Sequence, residues 1–379
     1  MLSVTAAIRT PLGRAAGLLL LISCVVSCGA ASRLGTLPSS SPPVALDDGW
    51  EVGPLTMEQL DPARLLSLEQ SIVAGDFEPP DALLIARGGR LVYEQYWNGF
   101  DRARLHDLRS ATKSVTALLT GIAIDEGRLP GADAAVAGFF PEYQALTGRD
   151  ARLGRITLAH LLTMSSGLEC NDWNPDSAGK EEKMYKSADW LKFVLGLPVA
   201  GEPGSVTTYC TGGVNLLGGA IARATATSIP SFAERALFSP LRIASADVKW
   251  AAAPAGETDT GGHLQLRPRD LLKLGQLVLD GGRWQGRQVV SANWLSAATT
   301  RRVHLGDSDY GYLWWRNTFH VNGRPFDFSF ARGNGGQYLF VFPEQKLTAL
   351  FMASRYDSPI GDQALELCAR FILTALPAP

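Results

Sequence analysis

Strand-forming sequence at both ends of the chain, with helical sequence between, is the feature that most restricts the fold. Near the start, apolar runs at 82–86 and 91–96 flank Arg87-Gly88-Gly89-Arg90. Two such runs around a Gly-Gly pair predict an antiparallel hairpin, because a two-residue turn favours positive φ at its central positions. Near the end, 310–315, 326–330 and 338–342 read as strands, and 347–353 follows a Pro343-Glu344-Gln345-Lys346 turn. From about Ser110 to Ala298, helical spacing and loops dominate. Strands separated in this way have to meet in one sheet to bury their apolar faces. The expectation is an α+β fold in three layers, αβα. Its antiparallel sheet is made from both chain ends and flanked by helices, with a helical lobe inserted at about 120–250. A helical stretch at 57–74 precedes the sheet, and an amphipathic helix over about 361–376 closes it.

The first residues stand apart from the fold. Arg9 and Arg14 give a basic start, and 15–26 is an apolar run too short to span a membrane comfortably. That is the pattern of a secretory signal. The run ends in Val25-Val26-Ser27-Cys28, which resembles a bacterial lipobox with Cys28 as the lipidated residue; Leu21-Ile22-Ser23-Cys24 fits equally. Ordinary cleavage near Ala30-Ala31 is the alternative. Residues 1–28 are expected to be a signal, 29–50 a flexible tether rich in Ser, Pro and Gly, and 51–379 one folded domain. The expected location is the periplasm, with the membrane reached through a lipid anchor. That compartment is oxidising. Cys170 and Cys210 lie in loop-like sequence, whereas Cys368 falls in an apolar helical pattern. Spacing leaves the pairing open, and location favours a Cys170–Cys210 disulfide with Cys368 as a buried thiol.

Composition excludes more than it assigns. The formal charge is −2, and no basic stripe of the kind that grips nucleic acid is present. Five histidines and five cysteines fall in no HExxH or CxxC spacing, so neither a metal nor another cofactor is expected. Chemistry is concentrated in Ser110-Ala111-Thr112-Lys113 at the start of a helical pattern that Gly127 ends. Residues three apart on a helix share a face, which brings Lys113 beside Ser110. A serine hydroxyl needs a base. A lysine serves if desolvation and the positive helix N-terminus lower its pKa. Ser177-Ala178-Gly179-Lys180 repeats the spacing in a polar loop, where solvent would keep the lysine charged.

Two further motifs follow. Thr207-Thr208-Tyr209-Cys210-Thr211-Gly212-Gly213 leads into a helical run, with Tyr209 placed to share a proton with Lys113. Ala331-Arg332-Gly333-Asn334-Gly335-Gly336-Gln337 joins two strands, and glycines there allow close approach of a ligand. In this order the three segments resemble those of the serine β-lactamase superfamily, which comprises class C β-lactamases, D-alanyl-D-alanine carboxypeptidases and esterases. Leu161-Leu162-Thr163-Met164-Ser165-Ser166-Gly167-Leu168, Gly261-Gly262-His263-Leu264 and Tyr310-Gly311-Tyr312-Leu313-Trp314-Trp315 extend the resemblance from about Ala82 to the C-terminus.

The resemblance implies a β-lactamase/transpeptidase-like fold and an acyl-enzyme mechanism. Ser110 would be the nucleophile, Lys113 its base and Tyr209 a proton donor to the leaving group. The amides of Ser110 and Asn334 would form the oxyanion hole, with Thr211, Gly333 and Gly335 at the substrate. Two departures bear on the substrate, a small-molecule ester, amide or lactam. Thr211 stands where the family often has Asn, and Ala331-Arg332-Gly333 lacks the Lys or His that helps hold a substrate carboxylate. Strand alternation turns Arg332 away if Ala331 faces the site. The segment looks closer to esterases and 6-aminohexanoate-dimer hydrolase-like members, so an ester or small amide is the expected substrate. A β-lactam or D-alanyl peptide, or an idle binding protein, are the alternatives. His263 is expected either at the border of the site or as a structural hydrogen bonder, and His160 in the core. His106 and Asp107 are not expected to form a triad with Ser110, because the chain has no Gly-x-Ser-x-Gly elbow.

Overall fold

The computed structural model describes residues 41–378. The signal at 1–28 and its lipidation candidates Cys24 and Cys28 lie outside the described residues. Among these residues no helix is long and apolar enough to cross a membrane.

One nine-stranded sheet gathers both ends of the chain. Its strands are β1 (Glu51–Val52), β2 (Ala82–Arg87), β3 (Arg90–Tyr96), β4 (Val303–Leu305), β5 (Ser308–Tyr310), β6 (Trp315–Val321), β7 (Arg324–Gly333), β8 (Gln337–Phe342) and β9 (Leu347–Met352). Their spatial order is β1-β3-β2-β9-β8-β7-β6-β5-β4, so β2 from one end pairs directly with β9 from the other. Arg87 and Arg90 close the β2–β3 hairpin across Gly88 and Gly89, whose φ values of 58° and 83° are those the Gly-Gly turn demands. The sheet is antiparallel except at one edge, where β1 runs parallel to β3. This corrects the all-antiparallel expectation, and the chain makes the crossover through helix Pro62–Ala74.

Alternation assigns the layers. Leu339 of β8 packs on the bare backbone of Gly275 in helix Pro268–Leu279. Tyr338, Phe340 and Phe342 point to the opposite face, where their rings pack against Phe328 and Phe330. Tyr338 donates to Asp362 at the start of the closing helical segment, which runs without a break through Ala375 and packs on helix Pro62–Ala74. Helix, sheet and helix therefore make the expected three layers.

The tether expected over 29–50 needs correction at its C-terminal part. Asp48 pairs with Arg269 at 2.9 Å, the Val44 carbonyl accepts from the same guanidinium, and Trp50 is buried. A buried arginine has to be surrounded by acceptors, and residues 44–50 supply them.

Between the chain halves lies the helical lobe, centred on helices Thr112–Asp125 and Thr211–Thr225. A small sheet of His106–Asp107, Gln265–Leu266 and Val248–Lys249 fastens it to the rest. These two-residue strands are too short to carry a sequence pattern. Their place matters, because Leu108, two residues before Ser110, donates its amide to the Leu264 carbonyl.

Candidate active site

Ser110 lies in the turn Arg109–Ala111 that enters helix Thr112–Asp125, and it is partly exposed. Arg109 has φ +49°, a costly conformation for a residue with a side chain. The Asp107 carboxylate accepts the Arg109 amide at 2.8 Å and fixes this turn. The helix that follows is buried on all sides from Thr112 to Ala123. Its polar residues are satisfied internally: Ser114 donates to the Leu313 carbonyl and Thr116 to the Thr260 carbonyl.

Lys113 is 1% exposed. Its Nζ donates to Ser110 Oγ at 3.1 Å and to the Gly261 carbonyl at 2.6 Å, and it sits 4.9 Å from the centre of the Tyr209 ring. The three residues singled out by sequence therefore converge. Their electrostatics differ from the expectation of a lysine lowered by burial. Desolvation does push Lys113 down, but Tyr209, Glu181, Asp172 and Asp259 together outweigh it and hold the ammonium above the ordinary lysine range. Burial in turn pushes Asp172 up to about 6 and raises Asp259. The resting site is a buried ammonium ringed by acidic groups, three of which the sequence reading missed.

Tyr209 is held from both sides. The Trp173 ring stacks on it at 5.2 Å with a 4° interplanar angle, and Trp315 stacks at 6.0 Å. Trp173 is 55% exposed. It belongs to a loop that a Cys170–Cys210 disulfide joins to the tyrosine's own segment, and the Asp172 amide donates to the Tyr209 carbonyl. Cys368 is a free, buried thiol. Thr211 requires a correction: it is fully buried, and its hydroxyl donates to Glu181 at 2.9 Å while its amide donates to Asp172. A hydroxyl used inside the protein is not presented to a substrate.

The Gly-rich segment meets the turn that carries Ser110. A Cβ on Gly333 would lie 2.2 Å from the Leu108 carbonyl, so only glycine lets the β7–β8 hairpin come this close. Gly335, at φ +92°, packs under the Tyr356 ring. Both glycines thus pack closely on protein and set the approach of the hairpin. Asn334 between them is exposed, and its side chain is fixed by two hydrogen bonds to Asp357. Ala331 is buried, and Arg332 leaves on the other side to pair with Asp362 at 2.8 Å. The strand thus brings no cation to the site.

The histidines sort as follows. His263 borders the site: it bonds Asp107 at 2.8 Å, and that carboxylate raises its pKa. His106 is buried against Asp81 at 2.9 Å, so it forms no triad with Ser110. His160 is half-buried and closes a capping box with Thr157, a helix-end role in place of the expected core position. The second Ser-x-x-Lys is loop: Ser177 accepts from the Asn171 amide, and Lys180 pairs with Glu182.

Comparison with known proteins agrees with this geometry. The family model described as Beta-lactamase matches residues 68–367, most of the chain. A 6-aminohexanoate-dimer hydrolase of Paenarthrobacter ureafaciens is 26% identical over 294 residues, covering 75% of this chain and 72% of that protein. Among solved structures, a penicillin-binding protein homolog from Caulobacter crescentus superposes with a TM-score of 0.64 at 19% identity, over 83% of this chain and 97% of that one. A β-lactamase from Mycobacterium bovis does so at 0.59 and 17%, over 80% and 98%. At these identities the structural matches speak for the fold, β-lactamase/transpeptidase-like. The family model reaches further, and the chain belongs to the beta-lactamase family of hydrolases.

Proposed function

We propose that this protein hydrolyses a carboxylic ester or small amide through an acyl-enzyme on Ser110. The observation that carries the reading is the buried Lys113 ammonium donating to a partly exposed Ser110 Oγ at 3.1 Å, beside Tyr209. After Lys113 has given up a proton to solvent, its amine takes the Ser110 proton as Oγ attacks the substrate carbonyl. The amides of Ser110 and Asn334 stabilise the oxyanion. The bond to the alcohol or amine then breaks, the leaving group takes a proton through Tyr209, and water releases the acid. No metal or organic cofactor takes part in these steps.

What faces the site supports this substrate class. A strand without a cation disfavours substrates held by a carboxylate, and the exposed Trp173 face beside Tyr209 offers an apolar shelf. The relative that is named for hydrolysing the 6-aminohexanoate dimer supports a small amide as the variant of the same chemistry. Family membership favours the second reading, a β-lactam or D-alanyl peptide. We also propose that the protein is exported and anchored through Cys28 or Cys24; the Cys170–Cys210 disulfide suits an oxidising compartment. A diacylglyceryl mass on the N-terminal peptide, lost in Cys28→Ala or Cys24→Ala, is the expected sign.

The deciding experiment treats the signal-free protein with a fluorophosphonate and follows p-nitrophenyl ester and nitrocefin hydrolysis in parallel. Labelling should vanish in Ser110→Ala, ester turnover should exceed nitrocefin turnover, and Lys113→Ala should lose at least about 10²-fold in kcat/KM while keeping its fold. Faster nitrocefin turnover would move the substrate to the lactam class. Absence of labelling and of both activities would leave a binding protein.

A further inference from the structure

Residues 259–262 form a loop wedged between the two central helices of the lobe. A Cβ on Gly261 would lie 2.6 Å from Thr211 Cγ2, so a side chain there would force the loop off helix Thr211–Thr225. Two buried side chains collect the loop's amides. Asp259 Oδ1 accepts from Gly261 at 3.1 Å and Gly262 at 2.9 Å, and Asn215 Oδ1 accepts from Thr260 at 2.9 Å and Gly261 at 3.0 Å. With the amides turned inward, successive carbonyls face the nucleophile helix. Thr260 takes the Thr116 hydroxyl at 2.7 Å, and Gly261 takes Lys113 Nζ at 2.6 Å. The loop thus grips that helix at two positions one turn apart, one of them the lysine itself.

We propose that Asp259 is a positioning residue of the site, holding the Gly261 peptide so that its carbonyl fixes Lys113 against Ser110. The inference rests on the hydrolase reading above and assigns a device to the same site. Amide acceptance alone would be served by asparagine, as Asn215 shows. Asp259 is instead a fully buried carboxylate that the Tyr185 hydroxyl of helix Glu181–Tyr185 hydrogen-bonds. Burying a charge in this way is costly, and an ammonium close by offsets part of that cost. The groups acting on Lys113 come from four segments: Tyr209, Asp172, Glu181 at the start of helix Glu181–Tyr185, and Asp259 itself. His263 acts on Asp259 from the same loop, and Asp259 with burial raises the pKa of Tyr185 on the neighbouring helix. Asp259 therefore joins two tasks, aiming a carbonyl and adding to the negative field that keeps the lysine protonated.

The two tasks separate in two variants. Asp259→Asn keeps an acceptor for the amides and removes the charge; Asp259→Ala removes both. Fluorophosphonate labelling rate, KM and the pH dependence of kcat/KM are measured for each, with circular dichroism as the check on folding. Asp259→Ala should label Ser110 at least about tenfold more slowly, with KM changed by less than about threefold. Asp259→Asn should recover most of that rate and move the ascending limb of kcat/KM to lower pH, because Lys113 then loses its proton more readily. Wild-type labelling in Asp259→Ala, or an unshifted profile in Asp259→Asn, would overturn the proposal. If the wild-type protein neither labels nor turns over substrate, the hydrolase reading fails, and a crystal structure of Asp259→Ala decides this one. A displaced Gly261 carbonyl supports it, and a retained bond to Lys113 Nζ overturns it.

Discussion

Burial in this protein acts on single carboxyl groups in ways that solution behaviour should report. Glu69 in helix Pro62–Ala74 is 3% exposed, accepts the Tyr93 hydroxyl at 2.7 Å, and has no partner at Oε2. Desolvation pushes it up to about 7, against 4.5 for the free side chain, and the tyrosine offsets only part of this. A carboxyl with a raised folded pKa contributes its full stability below the unfolded pKa and loses it as pH rises through the folded one. Glu69 should therefore destabilise the fold progressively from about pH 4.5 to pH 7, and Asp172, at about 6, acts in the same direction. Glu69→Gln removes the titration while keeping an acceptor for Tyr93. Its urea midpoint should gain on the wild type between pH 4.5 and pH 8. An equal difference at both pH values would show that Glu69 does not titrate in this range. At Lys113 the same physics takes the other sign, because neighbouring negative groups outweigh desolvation. Ser-x-x-Lys spacing told where the lysine stands, and only the surrounding side chains told its charge.

Among the elements, the β7–β8 hairpin does the most to shape the site. It carries Gly333 up to the Leu108 carbonyl and so sets Asn334 beside the Ser110 turn. A methyl group at 333 would meet backbone that has no rotamer to yield. Gly333→Ala should thus lower kcat by about 10²–10³, the loss typical of a missing oxyanion donor. It should also cost about 1–3 kcal/mol of stability through overpacking. Steady-state kinetics and thermal melting separate the two effects. Near-native kcat would mean that the hairpin does not position an oxyanion donor. The strands of this hairpin and its Gly-rich connection were legible, because period-two apolar runs and glycine clusters are local signals. The two-residue strands beside Leu108 were not legible, since nothing so short has a period.

On the scale of the whole molecule, the sheet is closed from one end of the chain by the other. The N-terminal strap at 44–50 is locked to it through Arg269. That side chain is 4% exposed, pairs with Glu94 and Asp48, and its own carbonyl accepts the Trp50 indole N–H. Truncating one member of a buried ion pair leaves the others unpaired at a cost of about 3–5 kcal/mol. Arg269→Ala should lose that much in urea unfolding and release residues 44–50 to limited proteolysis. A loss below about 1 kcal/mol would make the strap incidental to stability. Composition had marked this segment as a tether, since Ser, Pro and Gly are plentiful just before it. Its docking depends on an arginine more than two hundred residues away.

The sequence by itself determined the layered α+β architecture, the sheet built from both chain ends and the Ser110, Lys113 and Tyr209 segments. Each of these is written in local periodicity, turn chemistry or a short motif with its own mechanism. Tertiary structure alone decided that Lys113 is held as an ammonium, that Thr211 serves Glu181, and that Arg332 turns away to Asp362. It also brought Asp172, Glu181 and Asp259 to the lysine and Trp173 to Tyr209. The physical reason is range. Secondary structure and the Ser-x-x-Lys spacing depend on neighbours within a few residues. The charge and direction of a side chain depend on whichever distant groups the fold packs against it.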